Sequence, residues 1–224
     1  MLYFYFSESR KAEIMSNSNK KAFKVLIDNG HGKNTQGKRS PKGRYGILYE
    51  FEFNRAIAKP LVERLKKLGI DAELVVPEDN DISLGERCRR VNRICDEVGA
   101  KNVLFISIHA NASSNCETFQ KPSGWSGFVY YHSSNSSKRL AQCLFDEAKK
   151  KGLLGNRSIP QEHYWSAGFY VLKNTKCCAV LTESLFYDNE SEYEVLCSEN
   201  GRQEIIDLHI NGIVRFIEEI ENNK

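Results

Sequence analysis

The hexapeptide Val103-Leu104-Phe105-Ile106-Ser107-Ile108 limits this fold more than any other feature. A short run this apolar and rich in β-branched residues reads as a strand covered on both faces. Cover on both faces comes from helices packed above and below a sheet. The rest of the chain supplies such helices in alternation with further strands. Phe23-Lys24-Val25-Leu26-Ile27-Asp28 reads as a second buried strand. Phe53, Ile57, Leu61, Leu65 and Leu68 recur at three- and four-residue steps and predict a helix over 49–68, with Pro60 as a kink point and Gly69 as its stop. A strand is expected over 70–76. Ser83 and Glu86 have capping-box spacing and open a helix that runs to about Val98, before Gly99. Further strands are expected over 127–131, 169–172 and 179–182, and further helices over 138–151, after Asn189, and over 202–221. The alternation predicts an α/β fold with a mostly parallel sheet.

At 224 residues, the chain has the size of one domain. We read residues 1–22 as a flexible N-terminal lead and 23–224 as a single folded domain. The start Met1-Leu2-Tyr3-Phe4-Tyr5-Phe6 lacks the basic residues and the apolar length of a secretory signal. The polar run from Ser16 makes Met15 an alternative start. Synthesis in the cytoplasm without a signal peptide is the expectation. No stretch reaches the ~18 apolar residues of a membrane helix, so no membrane insertion is expected. A formal net charge of +3 does not argue for a nucleic-acid partner. A monomer is the simplest expectation for the assembly. The seven cysteines are odd in number and follow no framework spacing. Cys88 and Cys95 fall seven residues apart on one predicted helix, roughly 10 Å between α-carbons, too far to bridge. Reduced thiols fit this pattern.

In open α/β sheets, sites gather at the carboxyl ends of strands. Three predicted strands end in Asp28-Asn29-Gly30-His31-Gly32, Ser107-Ile108-His109-Ala110-Asn111 and Val180-Leu181-Thr182-Glu183. Glu50 opens a long helix, where the partial positive charge favours a carboxylate. Two imidazoles, one carboxylate and an open position make a catalytic zinc shell. His31, Glu50 and His109 are therefore candidate ligands of one Zn2+ ion, and Glu183 is the candidate catalytic base. Each has a plainer reading alone: a loop histidine, a first-turn helix acid, a polar strand end and a strand-end acid. The set gains weight because all four fall at element ends that one site can gather. Of the remaining histidines, His132 has no metal-spaced partner, His163 lies in a loop that can border a groove, and His209 shares a helix face with Ile205, Ile213 and Phe216. Cys177-Cys178 precedes a buried strand and reads as two structural thiols rather than a nucleophile.

With these residues in place, the chain resembles the zinc-dependent N-acetylmuramoyl-L-alanine amidases of the amidase-3 type. The resemblance rests on Asp28 to Gly32 (Asp-x-Gly-His-Gly), on Glu50, Asn54 and Ala58 (Glu-x-x-x-Asn-x-x-x-Ala), on Arg87 and Asn92, and on Ser107 to Asn111. It continues through Asn156, Arg157, Val171, Leu172, Ala179 to Glu183, Phe186 and Asn189, in order over nearly the whole domain. It implies a mixed sheet of about six strands flanked by helices on both faces. It also implies His31, Glu50 and His109 as zinc ligands, Glu183 as catalytic acid and base, and peptidoglycan as substrate. The family often has Pro and a second Gly where Asn29 and Lys33 stand, Gly at Leu185, and Pro at Cys178. These departures touch loop shape and leave the ligand set whole.

The activity so implied is hydrolysis of the amide between the lactyl group of N-acetylmuramic acid and L-alanine, as in wall remodelling or endolysin-like lysis. Without a signal peptide, such an enzyme is expected to act on the wall after release. A small positive charge does not repel an anionic wall. Asp28 is a candidate for orienting His31 or capping its turn. Asn111 is a candidate for loop support or substrate contact, and Arg157 for a stem-peptide carboxylate or its own loop. The competing readings are another zinc peptidase or deacylase, a catalytically silent wall-binding module, and a cysteine hydrolase.

Overall fold

The computed structural model describes residues 23–222, and the sequence-expected flexible lead over 1–22 lies outside them. The strands are β1 (Lys24–Asn29), β2 (Asp71–Leu74), β3 (Val103–Asn111), β4 (Ser126–Val129), β5 (Trp165–Ser166) and β6 (Cys178–Phe186). They form one sheet in the order β2-β1-β3-β6-β4-β5. The four strands β2, β1, β3 and β6 run parallel, and β4 joins β6 antiparallel with β5 parallel to it. The helices are α1 (Glu50–Lys67), α2 (Leu84–Val98), α3 (Asn135–Lys150), the single turn α4 (Tyr170–Lys173), α5 (Glu190–Cys197) and α6 (Glu199–Asn222). The expected mixed, mostly parallel sheet with helices on both faces is what the chain builds.

Alternation along the central strands creates the layers, because successive strand side chains point to opposite faces. Val25 and Ile27 of β1, Ile106 and Ile108 of β3, and Val180 of β6 pack with the faces of α1, α3 and α6. Leu26, Phe105 and Leu181 point the other way, onto Val91 and Cys95 of α2 and Leu172 of α4. With both faces covered, the ends of the strands are where polar side chains can meet.

Helix starts and stops follow local chemistry. Ser83 caps α2 by accepting from the Glu86 amide at 3.1 Å, and Ser134 caps α3 in the same way through Ser137. α1 continues through Pro60 as one helix of 18 residues. The expected strand over 169–172 is instead the helical turn α4. Val171 and Leu172 are adjacent yet both buried against the α2 layer, a pattern that a helix meets and a strand does not. The edge strand beside β4 is β5, a pair of residues too short to show alternation, matched to Phe128 and Val129. All seven cysteines are free thiols. Among the described residues, no helix is long and apolar enough to cross a membrane.

Candidate active site

His31, Glu50 and His109 meet at the carboxyl ends of β1 and β3, each offering one ligand atom within 4.8 Å of the others. Glu50 lies between the two imidazoles. Its Oε1 accepts from His109 Nδ1 at 2.9 Å, and its Oε2 lies 3.2 Å from His31 Nε2. The rings stand perpendicular with centroids 5.0 Å apart. Glu50 is buried, which by itself would raise its pKa, but hydrogen bonds from His109 and then His31 hold it below the usual carboxylate range. Burial disfavours a charged His109, yet the Glu50 carboxylate outweighs that and raises its pKa. A buried carboxylate flanked by two partly exposed imidazoles is a donor set that fits one divalent cation. A tetrahedral shell with bonds of about 2.0–2.2 Å spaces its ligand atoms roughly 3–4 Å apart.

The local sequence explains the assembly. Glu50 sits in the first turn of α1, and Asn54 one turn later donates to the Gly30 carbonyl at 3.0 Å and to Glu50 at 3.5 Å. That is what the Glu-x-x-x-Asn spacing accomplishes. His31 adopts φ +62°, and its carbonyl accepts from Arg55 at 3.1 Å and Arg87 at 3.3 Å. Arg87 also pairs with Asp28 and with Asp81, and both Arg87 and Asp28 are about 2% exposed. Asp28 therefore reaches His31 only through Arg87, and its second oxygen accepts from Ser107 at 2.6 Å. In sequence Arg87 showed only as part of a motif, and its place under the His31 loop was not foreseen.

Gly30 has no room for a side chain. A Cβ there would lie 2.1 Å from His109 Cε1 and 2.3 Å from its Nε2. Gly30→Ala is therefore expected to push the His109 ring aside and weaken divalent metal binding at least about tenfold, while the fold survives. Competition with a chromophoric chelator measures this, and an unchanged affinity would show that His109 does not need its present pose.

Glu183 stands directly beside His109. The two are paired in the β3–β6 register, and parallel neighbours in register project to the same face. Burial pushes the Glu183 carboxyl up to about 7, with His109 opposing and Glu50 reinforcing the rise. Its Oε2 is enclosed and has no hydrogen-bond partner among the described residues. Immediately after it the register shifts, with Asn111 opposite Phe186. The extra residue is a β-bulge, and Leu185 takes φ +67° there. That conformation accounts for the Gly common in the family. Here Leu185 accepts the strain and is 1% exposed, seated in the main core.

The other candidates fall as follows. Asn111 accepts from the Ala112 amide at 2.9 Å, which serves its own loop. Arg157 donates to Ser126 and lies between the rings of Trp165 and Phe186, 4.9 and 5.0 Å from their centroids. His163 stacks on Phe145 with centroids 4.6 Å apart. His209 donates from Nδ1 to the Ile205 carbonyl and accepts at Nε2 from Thr182. Burial pulls it down to about 4, a packed neutral imidazole as expected. Burial pushes the Cys178 thiol up to about 12, which leaves little thiolate for a cysteine hydrolase.

Known proteins share this fold. A family model described as N-acetylmuramoyl-L-alanine amidase, amidase-3, matches residues 25–215. A Staphylococcus aureus protein named as a probable cell wall amidase, LytH, is 29% identical over 191 residues. That match covers 84% of this chain and 56% of the relative, so the chain spans about half the length of the curated relatives it matches. Among solved structures, an N-acetylmuramoyl-L-alanine amidase from Clostridium difficile 630 superposes with a TM-score of 0.73 at 26% identity, covering 89% of this chain and 98% of that one. AmiC2 of Nostoc punctiforme, also an N-acetylmuramoyl-L-alanine amidase, gives 0.70 at 25% identity, over 89% and 98%. The catalytic domain of the CD27L endolysin shares the fold at a TM-score of 0.65 and 22% identity, over 86% and 97%. With a single model spanning residues 25–215 and the His31–Glu50–His109 cluster at its strand ends, this chain belongs to the amidase-3 family of N-acetylmuramoyl-L-alanine amidases.

Proposed function

We propose that the chain is a zinc-dependent amidase that hydrolyses the bond between the lactyl carbonyl of N-acetylmuramic acid and the first L-alanine of the peptidoglycan stem. The observation that carries this reading is the pairing of a His-Glu-His donor cluster with an enclosed carboxylate, Glu183, one strand away. His31, Glu50 and His109 would hold one zinc ion. When bound, that ion supplies Lewis-acid polarisation of the carbonyl and lowers the pKa of a nearby water.

The chain's own residues do the rest. Glu183 takes a proton from the attacking water as the water's oxygen bonds to the lactyl carbon. It then hands that proton to the alanine nitrogen as the C–N bond breaks, so one water is consumed and a free amine leaves. A carboxyl with pKa near 7 suits both halves of that exchange. Arg87 and Arg55 hold the His31 loop by its carbonyl, and Asn54 braces Glu50.

Purified peptidoglycan digested with the protein is expected to release peptides with a free N-terminal alanine, identified by mass spectrometry of the soluble fraction. Release of glycan fragments or of internally cut peptides instead would contradict the reading. No release at all would favour the silent wall-binding module.

A further inference from the structure

The site is the end of a single transverse row. His109 pairs with Glu183 across β3 and β6, and Glu183 pairs with Ser126 across β6 and β4. Directly opposed residues project to the same face. Ser126 is buried, and its hydroxyl accepts from Arg157. From one side to the other the row therefore reads His31, His109, Glu183, Ser126 with Arg157. A cationic group closes the end away from the two histidines.

Arg157, which is half-buried, is built unlike the buried arginines. Arg87 is spent on two carboxylates and Arg55 on backbone carbonyls. Arg157 forms no ion pair among the described residues, and its Nε has no partner. Burial lowers its pKa, against the pull of Glu183 and Glu192. The rings of Trp165 and Phe186 pack against its guanidinium. A guanidinium packed against two aromatic rings, short of partners and beside a reacting centre is prepared for an anionic acceptor. The lactyl carboxyl is consumed in the scissile amide, so the anion near the cut lies on the peptide. Adjacent strands are about 4.8 Å apart, which puts the guanidinium roughly two extended residues from the reacting carbonyl.

We infer that Arg157 binds a stem-peptide carboxylate close to the scissile bond, so that the substrate lies across the strands with its peptide over β4 and β5 and its glycan on the His31 side. This rests on the amidase reading of the site. It makes Arg157 a specificity residue for the stem's acidic position.

The test uses two matched soluble muramoyl peptides, in which the acidic residue next to alanine carries a free or an amidated α-carboxylate. The wild-type protein is expected to prefer the free acid at least tenfold in kcat/KM, mostly through KM. In Arg157→Gln that preference collapses towards one. Arg157→Lys, which keeps charge but loses the fork, falls between. Thermal melts check that the variants fold. Equal wild-type kcat/KM for the two peptides overturns the inference while leaving the amidase activity standing, and needs no variant. A preference that survives in Arg157→Gln, with only the pH profile shifted, overturns it too, because Arg157 would then act on Glu183. If neither peptide yields an alanine amine, the amidase reading falls and takes this inference with it.

Discussion

Glu183→Gln is expected to keep its bound metal and lose turnover by about a thousandfold or more. General acid–base groups contribute roughly 10²–10⁴ in rate, and Gln keeps the shape of the side chain while removing the proton exchange. Glu183 lies outside the His31–Glu50–His109 cluster, so the metal content should not change. The same variant has a second signature in the metal-free protein. Burial holds the Glu183 carboxyl near 7 against an ordinary 4.5. A raised carboxyl pKa means the folded state prefers the proton. The resulting penalty on folding is absent below about pH 4.5, grows through the interval, and is complete above pH 7. Gln carries no such penalty. Metal-free Glu183→Gln should therefore melt higher than the parent at pH 8, by at most about 3 kcal/mol of stability, and equal it near pH 4. Near-normal turnover in the variant would remove Glu183 from the chemistry.

His109→Ala has the opposite profile: the metal goes first and activity follows. Zinc sites draw on the order of 3 kcal/mol from each ligand, so losing one imidazole lowers affinity roughly a hundredfold or more. The deletion also leaves Glu50, which is buried, without its shortest side-chain hydrogen bond and with only His31, Asn54 and the Ala110 amide beside it. A buried carboxylate that loses its main partner is less well compensated, so some loss of thermal stability, up to a few kcal/mol, should accompany the loss of metal. Added zinc in large excess should restore part of the activity. Stoichiometric zinc in the dialysed variant would show that His109 is not a ligand.

The central layers of this fold were legible in the sequence because they depend on side-chain period alone. Val103 to Ile108 reads as a doubly covered strand and is one, with its residues shared between two cores. Phe169 to Leu172 misled because β propensity over four residues cannot outweigh tertiary placement. Burial of the adjacent Val171 and Leu172 required a helical turn. The site was legible where a chemical residue terminates a strand, as at His31, His109 and Glu183. Arg87 was hidden because its importance lies in a fan of contacts to Asp28, Asp81 and the His31 carbonyl, drawn from two separate stretches of chain. The row from Glu183 to Arg157 was hidden for a similar reason. It exists only once β4 pairs antiparallel with β6 and places Ser126 opposite Glu183.

X-ray diffraction from crystals grown with zinc, measured on both sides of the zinc absorption edge, tests the central claim most directly. One anomalous peak is expected at about 2.0–2.2 Å from a nitrogen of His31, a nitrogen of His109 and an oxygen of Glu50, with the Glu183 carboxyl facing it unbound. A fully active protein whose anomalous peak lies elsewhere, or whose zinc is held by Glu183 in place of Glu50, would contradict it.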